Sequence, residues 1–313
     1  MTEAITVPTE RGVLIIKRDQ PMSLYTTFRI GGPADFLTRA GSEPELLAAL
    51  DWAERHALPV TVIGGGSNLL VGDRGIRGLV ILVRAPGSAL DGQVDIVVEA
   101  GRARLTVPAQ APISWLGHFT ASRGWAGLEW AAGLPGVVGG AVLNNAGAHG
   151  GEMADHLVSL ELLDLVEKSV TQWDRDRLEA RYRSTVLKFE PRPRRWVVLR
   201  ATFELPPGER EELTVRAASY AQWRRRAQPT GACAGSVFMN PPGAYAGYLI
   251  EQAGLKGRQV GGVRVSERHG NFFINTGNAT AADVRALIAL IQDEVFRRFG
   301  IELVPEIEEI GEA

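Results

Sequence analysis

A chain of 313 residues exceeds the roughly 250 to 300 that one hydrophobic core usually spans, so two or three domains are expected. Lys plus Arg total 34 against 36 Asp plus Glu, and the formal charge of -2 offers no basic face for nucleic acid. The single cysteine, Cys233, excludes an intrachain disulfide framework, and His56, His118, His149, His156 and His269 show no metal-ligand spacing, so no metal is expected.

Met1 to Gly12 carries Glu3, Glu10 and Arg11 without a basic stretch followed by an apolar one, and does not read as a secretory signal. Every apolar run is broken by charge or glycine before about 18 residues, too short for a membrane span. A cytoplasmic protein without a membrane partner is expected. Glycine is the compositional outlier, 36 of 313 residues against a usual share of about 7%.

From Ser42, SEPELLAALDWAERHA has a capping serine and apolar residues at Leu46, Leu50, Ala53 and Ala57, which predicts a surface helix. Pro59 and the β-branched run Val60 to Ile63 then predict a buried strand that ends in Gly64, Gly65, Gly66, Ser67 and Asn68. LVILVRA and VDIVVEA predict short strands, Ile113 to Arg123 a helix, and Leu160 to Leu165 and Trp196 to Leu205 further strands. PPGER reads as a linker into a helix through Leu213, Ala217 and Tyr220 that stops at Gln228 and Pro229. The last helix has a Thr280 and Asp283 capping box and an apolar stripe of Val284, Leu287, Ile291, Val295 and Phe299.

The triple glycine after a strand bares several N–H groups without Cβ atoms, a geometry suited to a pyrophosphate, although a plain structural turn is the commoner origin of such a motif. It fails the Rossmann pattern, because no helix opens after Gly66, and the P-loop pattern, because no Lys followed by Ser or Thr closes it. The second cluster, AAGLPGVVGGAVLNNAGAHGG, holds seven glycines between Gly133 and Gly151 and the pair Asn144 and Asn145. That composition suits a backbone laid along a flat polar ligand, or two tight loops around a helix start. Arg224, Arg225 and Arg226 close a helix, where cations complement the negative helix end.

The segments TTFRIGGPAD, GGGSNLLV, GLPGVVGGAVLNNAGAHGGE, YRSTVLK, AGSVFMNP, HGNFFIN and LVPEI occur in the order seen in UDP-N-acetylenolpyruvoylglucosamine reductases. The resemblance runs from about Leu24 to Ile310. It implies an α+β chain with an FAD-binding fold of the vanillyl-alcohol-oxidase type in two lobes, 1–85 and 86–206, and a smaller α+β substrate domain, 207–313, whose last residues return to the first lobe. FAD is the implied cofactor and NADPH the co-substrate, reducing UDP-N-acetylenolpyruvoylglucosamine in peptidoglycan precursor synthesis, and a monomer is expected.

By the same resemblance, FAD would meet Gly64, Gly65, Gly66, Ser67, Asn68 and Leu69 at the pyrophosphate, and Gly133, Gly136, Gly139, Asn145, Ala146 and Gly147 nearer the isoalloxazine ring. Arg183 matches the arginine that steadies the substrate carboxylate, Ser236 the serine that protonates the carbon alpha to it, and Glu306 the glutamate that completes the acid side. Tyr182, Arg225, Gln228 and Asn240 would touch substrate. Met239 stands where relatives often carry a basic or amide residue, and Val137 where they often carry a small hydroxylated one. Two other readings remain: another FAD-dependent oxidoreductase or oxidase of this fold, whose flavin His149 would tether, and an inactive FAD-binding relative.

Overall fold

The computed structural model describes residues 4–9, 12–84, 90 and 92–313. The first lobe is built from β1 (Ala4–Thr9), β2 (Gly12–Pro21), β3 (Pro33–Arg39), α1 (Glu43–Arg55), β4 (Val60–Ile63), β5 (Leu69–Val71) and β6 (Ile76–Leu82). Its sheet has the order β1-β2-β3-β6-β4, antiparallel on the β1 side and parallel where β6 lies between β3 and β4. β6 is buried at every position except Arg77, as a central parallel strand covered on both faces requires. Ser42 caps α1 by accepting from the Glu45 N–H, and Leu46, Ala49, Leu50, Trp52 and Ala53 are buried. Ala57, expected on that face, is exposed and left-handed at φ 51°, and so lies beyond the end of the helix.

The second lobe contains β7 (Asp95–Glu99), β8 (Arg102–Pro108), α2 (Ile113–Ala121), α3 (Val138–Leu143), the two-residue strands β9 (Gly147–Ala148) and β10 (Gly151–Glu152), β11 (Leu157–Asp164), β12 (Ser169–Asp174) and β13 (Trp196–Leu205). Its large sheet, order β12-β11-β13-β8-β7, is antiparallel throughout. Leu163 and Val197 from this sheet enter the same apolar cluster as Ile16, Leu79 and Ile81, so the two lobes share buried surface.

α4 (Arg210–Ala227) follows, and a boundary at 206/207 would assign it to the third unit. Its buried Leu213, Ala217 and Ala221 pack instead with Ala121 and Ala132 of the second lobe, and its three small or apolar residues at helical spacing leave no other buried face. The third unit comprises α5 (Ala246–Gln252), β14 (Gln259–Val260), β15 (Val263–Val265), β16 (Phe273–Asn275) and α6 (Ala281–Phe299). The capping box of α6 is formed by Thr280 and Asp283, and Val284, Leu287, Ile291 and Val295 are fully buried, while Phe299 is 39% exposed and falls off the stripe. The chain then returns: β17 (Glu308–Ile310) pairs in parallel with β5, and Ile310 joins the core of the first lobe.

Candidate active site

The two glycine-rich loops, one from each lobe, meet backbone to backbone. The loop between β4 and β5 crosses under Thr27, whose N–H donates to the Gly66 carbonyl at 3.0 Å. Gly66 has φ +65°, and a Cβ there would stand 2.3 Å from the Tyr25 oxygen, so no other residue fits. A Cβ on Gly65 would stand 2.7 Å from the Gly136 Cα, and one on Gly136, at φ +105°, would stand 2.8 Å from Ser67 Oγ. The Asn68 amide donates at 3.1 Å to the Glu306 carbonyl and at 3.4 Å to Asn144 Oδ1, joining both loops to the returning C-terminal segment.

The glycines of the second loop divide by what surrounds them. Cβ atoms at Gly133, Gly139 and Gly147 would meet Ala221 Cα at 3.1 Å, Ala109 Cβ at 3.0 Å and the Gly151 oxygen at 2.5 Å, so close protein packing accounts for all three. Gly140, on the exposed side of α3, faces open space within 4 Å. It was absent from the expected set, and the Gly139-Gly140 pair is the signal for it: one glycine turns to the protein and the other away. Val137 packs against Gly64, with its Cγ2 2.7 Å from where a Cβ would be. A surface of bare backbone from Gly64 to Ser67 and at Gly140 fits a flat anionic group such as the expected flavin.

Asn145 serves the scaffold. It is buried, its amide donates to the Arg181 carbonyl and its oxygen accepts from the Ala154 N–H, both at 3.0 Å, so half of the amide's hydrogen-bonding capacity is committed to the fold. It thereby anchors the loop that carries Arg183. Arg181 and Ser184 exchange two backbone hydrogen bonds, and Thr185 Oγ1 donates to Leu143 at the end of α3. Arg183 at the tip is left-handed, φ 55°, as are Asn145 at 41° and His149 at 53°. Three non-glycine residues in this costly region within one site mark a backbone held by its surroundings.

The Arg183 guanidinium donates to the Gly147 carbonyl at 2.6 Å and lies 3.3 Å from Glu306 Oε1, with both side chains less than one-fifth exposed. It also stacks 4.9 Å from the centre of the Tyr182 ring, which is 48% exposed. Burial raises the Glu306 pKa above the usual carboxylate range, and the charges of Arg183 and Lys188 pull against that rise. Glu306 is fixed by its own N–H, which donates to the Val237 carbonyl at 2.7 Å. Val237 directly follows Ser236, so Arg183, Glu306 and Ser236 share one site, drawn from the second lobe, the C-terminal segment and the third unit.

Ser236 Oγ has no hydrogen-bond partner among the described residues, and Gly235 beside it faces open space. The segment is held from behind by Asn271, whose side chain accepts from the Phe238 N–H at 2.9 Å and donates to the Phe238 carbonyl at 2.8 Å. Asn271 escaped the sequence reading. Its signal was an amide inside HGNFFIN set between Gly270 and Phe272, which the fold buries.

Of the three arginines at the end of α4, Arg225 and Arg226 are exposed, whereas Arg224 turns toward Arg183. The helix phase decides this: Arg224 lies three residues after the buried Ala221 and the other two rotate outward. Burial and the nearby Arg183 lower the Arg224 pKa to about 10, which leaves it charged at neutral pH, and it has no hydrogen-bond or ion-pair partner among the described residues. Arg224, and not Arg225, is thus the member of the triplet that lies on the Arg183 side of the helix. Gln228 offers its carbonyl to Arg268, and Asn240 Oδ1 accepts from the Ala246 N–H at the start of α5, so half of the Asn240 amide is committed to the fold. His149 stacks on Tyr220 at 4.2 Å and meets Trp223 edge-on at 5.0 Å, and burial followed by the Arg224 charge lowers its pKa. Cys233 lends its carbonyl to Thr27 Oγ1. Among the described residues no group of three or more His, Cys, Asp or Glu is placed to hold a metal, and no helix is long and apolar enough to cross a membrane.

Residues 34–170 match the model of an FAD binding domain, and residues 228–310 match the C-terminal domain of UDP-N-acetylenolpyruvoylglucosamine reductase. The second match begins where α4 ends. A UDP-N-acetylenolpyruvoylglucosamine reductase of Rubrobacter xylanophilus is 44% identical over 298 residues, 95% of each chain. A Bacillus anthracis reductase of the same name is 43% identical over 94% of each chain. The crystal structure of UDP-N-acetylenolpyruvylglucosamine reductase from Thermus caldophilus superposes with a TM-score of 0.75 at 32% identity, covering 99% of both chains. The α+β architecture is thus an FAD-binding fold of the vanillyl-alcohol-oxidase type with an added substrate domain, and the chain belongs to the UDP-N-acetylenolpyruvoylglucosamine reductase family.

Proposed function

We infer that this protein is an FAD-containing oxidoreductase that uses NADPH to reduce UDP-N-acetylenolpyruvoylglucosamine to UDP-N-acetylmuramate, a step of peptidoglycan precursor synthesis. The observation that carries the reading is the convergence of Arg183, Glu306 and a Ser236 hydroxyl without a partner among the described residues, beside bare glycine backbone from both lobes. Bound FAD supplies the passage of hydride from the nicotinamide to the enolpyruvyl methylene carbon. The backbone of Gly64 to Ser67 and the open face at Gly140 would hold it.

The chain's own task is to bind a carboxylate and deliver a proton as negative charge builds on the adjoining carbon. Arg183 holds the carboxylate, since its planar guanidinium suits two oxygens and its Nη1 makes only a long, 3.5 Å contact with the Asn145 carbonyl. Ser236 donates the proton to the carbon alpha to the carboxylate, and Glu306 completes the acid side through its contact with Arg183. Arg224, a charged group whose guanidinium has no hydrogen-bond or ion-pair partner among the described residues, meets the substrate diphosphate, with Tyr182, Gln228 and Asn240 beside it. The enzyme acts as a monomer in the cytoplasm.

The test is to purify the protein, record its visible spectrum, and follow NADPH oxidation with and without the enolpyruvyl substrate. An oxidised-flavin spectrum with substrate-dependent NADPH consumption is expected. A colourless protein that takes up no FAD overturns the reading.

A further inference from the structure

The loop that presents Arg183 contains a second cation. Lys188 closes the YRSTVLK segment, and its ammonium donates to the Arg183 carbonyl at 3.0 Å. Its own backbone is tied down at both ends: its N–H donates to the Thr185 carbonyl, and its carbonyl accepts from Arg194 at 3.1 Å. Arg194 in turn pairs with Glu308 in β17, as does Arg192. Lys188 thus stands between the left-handed Arg183 and the strand that brings Glu306 into the site. A half-buried ammonium carries a desolvation cost, and that partial burial does lower its pKa, with Arg183 and Arg194 acting in the same direction and Glu306 opposing them. A position that tolerates such a cost without being the loop's only anchor calls for a role beyond folding, because Thr185 and the Arg181 and Ser184 bridge already close the loop.

We propose that Lys188 is a positioning residue for the proton-delivery half of the reaction, holding the Arg183 backbone in its left-handed conformation and setting a second positive charge opposite Glu306. The proposal rests on the function inferred above. Two cations face the Glu306 carboxylate, Arg183 and Lys188; Arg224 lies behind Arg183, Arg194 beside Lys188, and the nearby carboxylate, Glu308, is engaged by Arg192 and Arg194. With one of the two facing charges removed, burial raises the Glu306 pKa further, and the Arg183 tip loses its tether.

The experiment uses the FAD-loaded enzyme and stopped-flow absorbance, with the two half-reactions measured separately across pH. In Lys188→Met, flavin content and flavin reduction by NADPH stay near wild type, while re-oxidation by the enolpyruvyl substrate slows by about 10- to 100-fold, the usual cost of a misplaced catalytic group. The acidic midpoint of the re-oxidation profile also moves upward. Lys188→Arg restores the midpoint and part of the rate. Should Lys188→Met lose its flavin, Lys188→Gln, which keeps a donor without the charge, carries the same expectation for the midpoint. A wild-type rate and midpoint in these charge-removing variants overturn the proposal, as does equal slowing of both half-reactions. A wild-type enzyme that fails to reduce the enolpyruvyl substrate instead overturns the functional reading on which it rests.

Discussion

Ser236, Glu306 and Arg183 illustrate how little residue type reveals by itself. A serine in an ordinary turn, a glutamate among Glu302, Glu308 and Glu309, and an arginine in a loop carry no chemical signal; only the ordered motifs single them out, and the structure then brings them together. For Ser236→Ala, flavin reduction by NADPH should be nearly unchanged, while re-oxidation by substrate falls by about 10²-fold or more, the usual contribution of a positioned proton donor. Rapid-mixing absorbance separates the two steps, and equal loss in both would remove Ser236 from the donor's role. The arginine triplet yields a second contrast. Loss of a charged hydrogen bond worth about 1.5 to 3 kcal/mol predicts that Arg224→Ala raises the substrate KM by about 10- to 100-fold, whereas Arg225→Ala leaves it close to wild type. Steady-state kinetics of the two variants side by side decide between them. Helix phase, which the triplet alone could not reveal, is what separates them.

At the level of elements, the amphipathic and capped segments were legible and the edges were not. Ser42, Thr280 and Asp283 announce α1 and α6 because a cap is a local hydrogen bond, and β4 and β13 announce themselves by β-branched or alternating runs. β1, β2 and β12 went unseen, since each is an edge or near-edge strand with many exposed positions and only weak alternation. The turn between β11 and β12 shows what such edges depend on. Asp164 is buried, accepts from the Val166 and Glu167 N–H groups, and is gripped by Arg195, whose hydrogen bond holds its pKa below the usual carboxylate range. A depressed carboxylate adds stability that is present at neutral pH and lost as pH falls through its folded pKa. Asp164→Asn should therefore lower the melting temperature by a few degrees at pH 7. The gap from wild type should close as the buffer is taken into the acid range, which thermal scans at a series of pH values would show.

Across the whole molecule, both lobes and the returning C-terminal segment meet at Asn68, which reaches both the second glycine loop and Glu306. This junction was the least legible part of the chain, because contacts between segments 76 and 238 residues apart leave no local pattern to read. The family resemblance supplied its members, and the packing of α4 on the second lobe corrected their grouping. The approach of Gly65 to Gly136 bears on how the molecule melts. Two bare backbones in contact bury little apolar surface and contribute little cohesion of their own, so the seam between the lobes is weakest where the flavin would lie across it. A bound molecule spanning that seam acts as a thermodynamic staple, stabilising the joined state by RT ln(1 + [L]/Kd), or about 4 kcal/mol at a thousandfold excess over Kd. Calorimetry should accordingly find a single sharp endotherm for the FAD-loaded protein and a lower, broader one for the stripped apoprotein, with titrated FAD restoring the first. In that sense the cofactor would be the mortar of the fold as well as the agent of its chemistry.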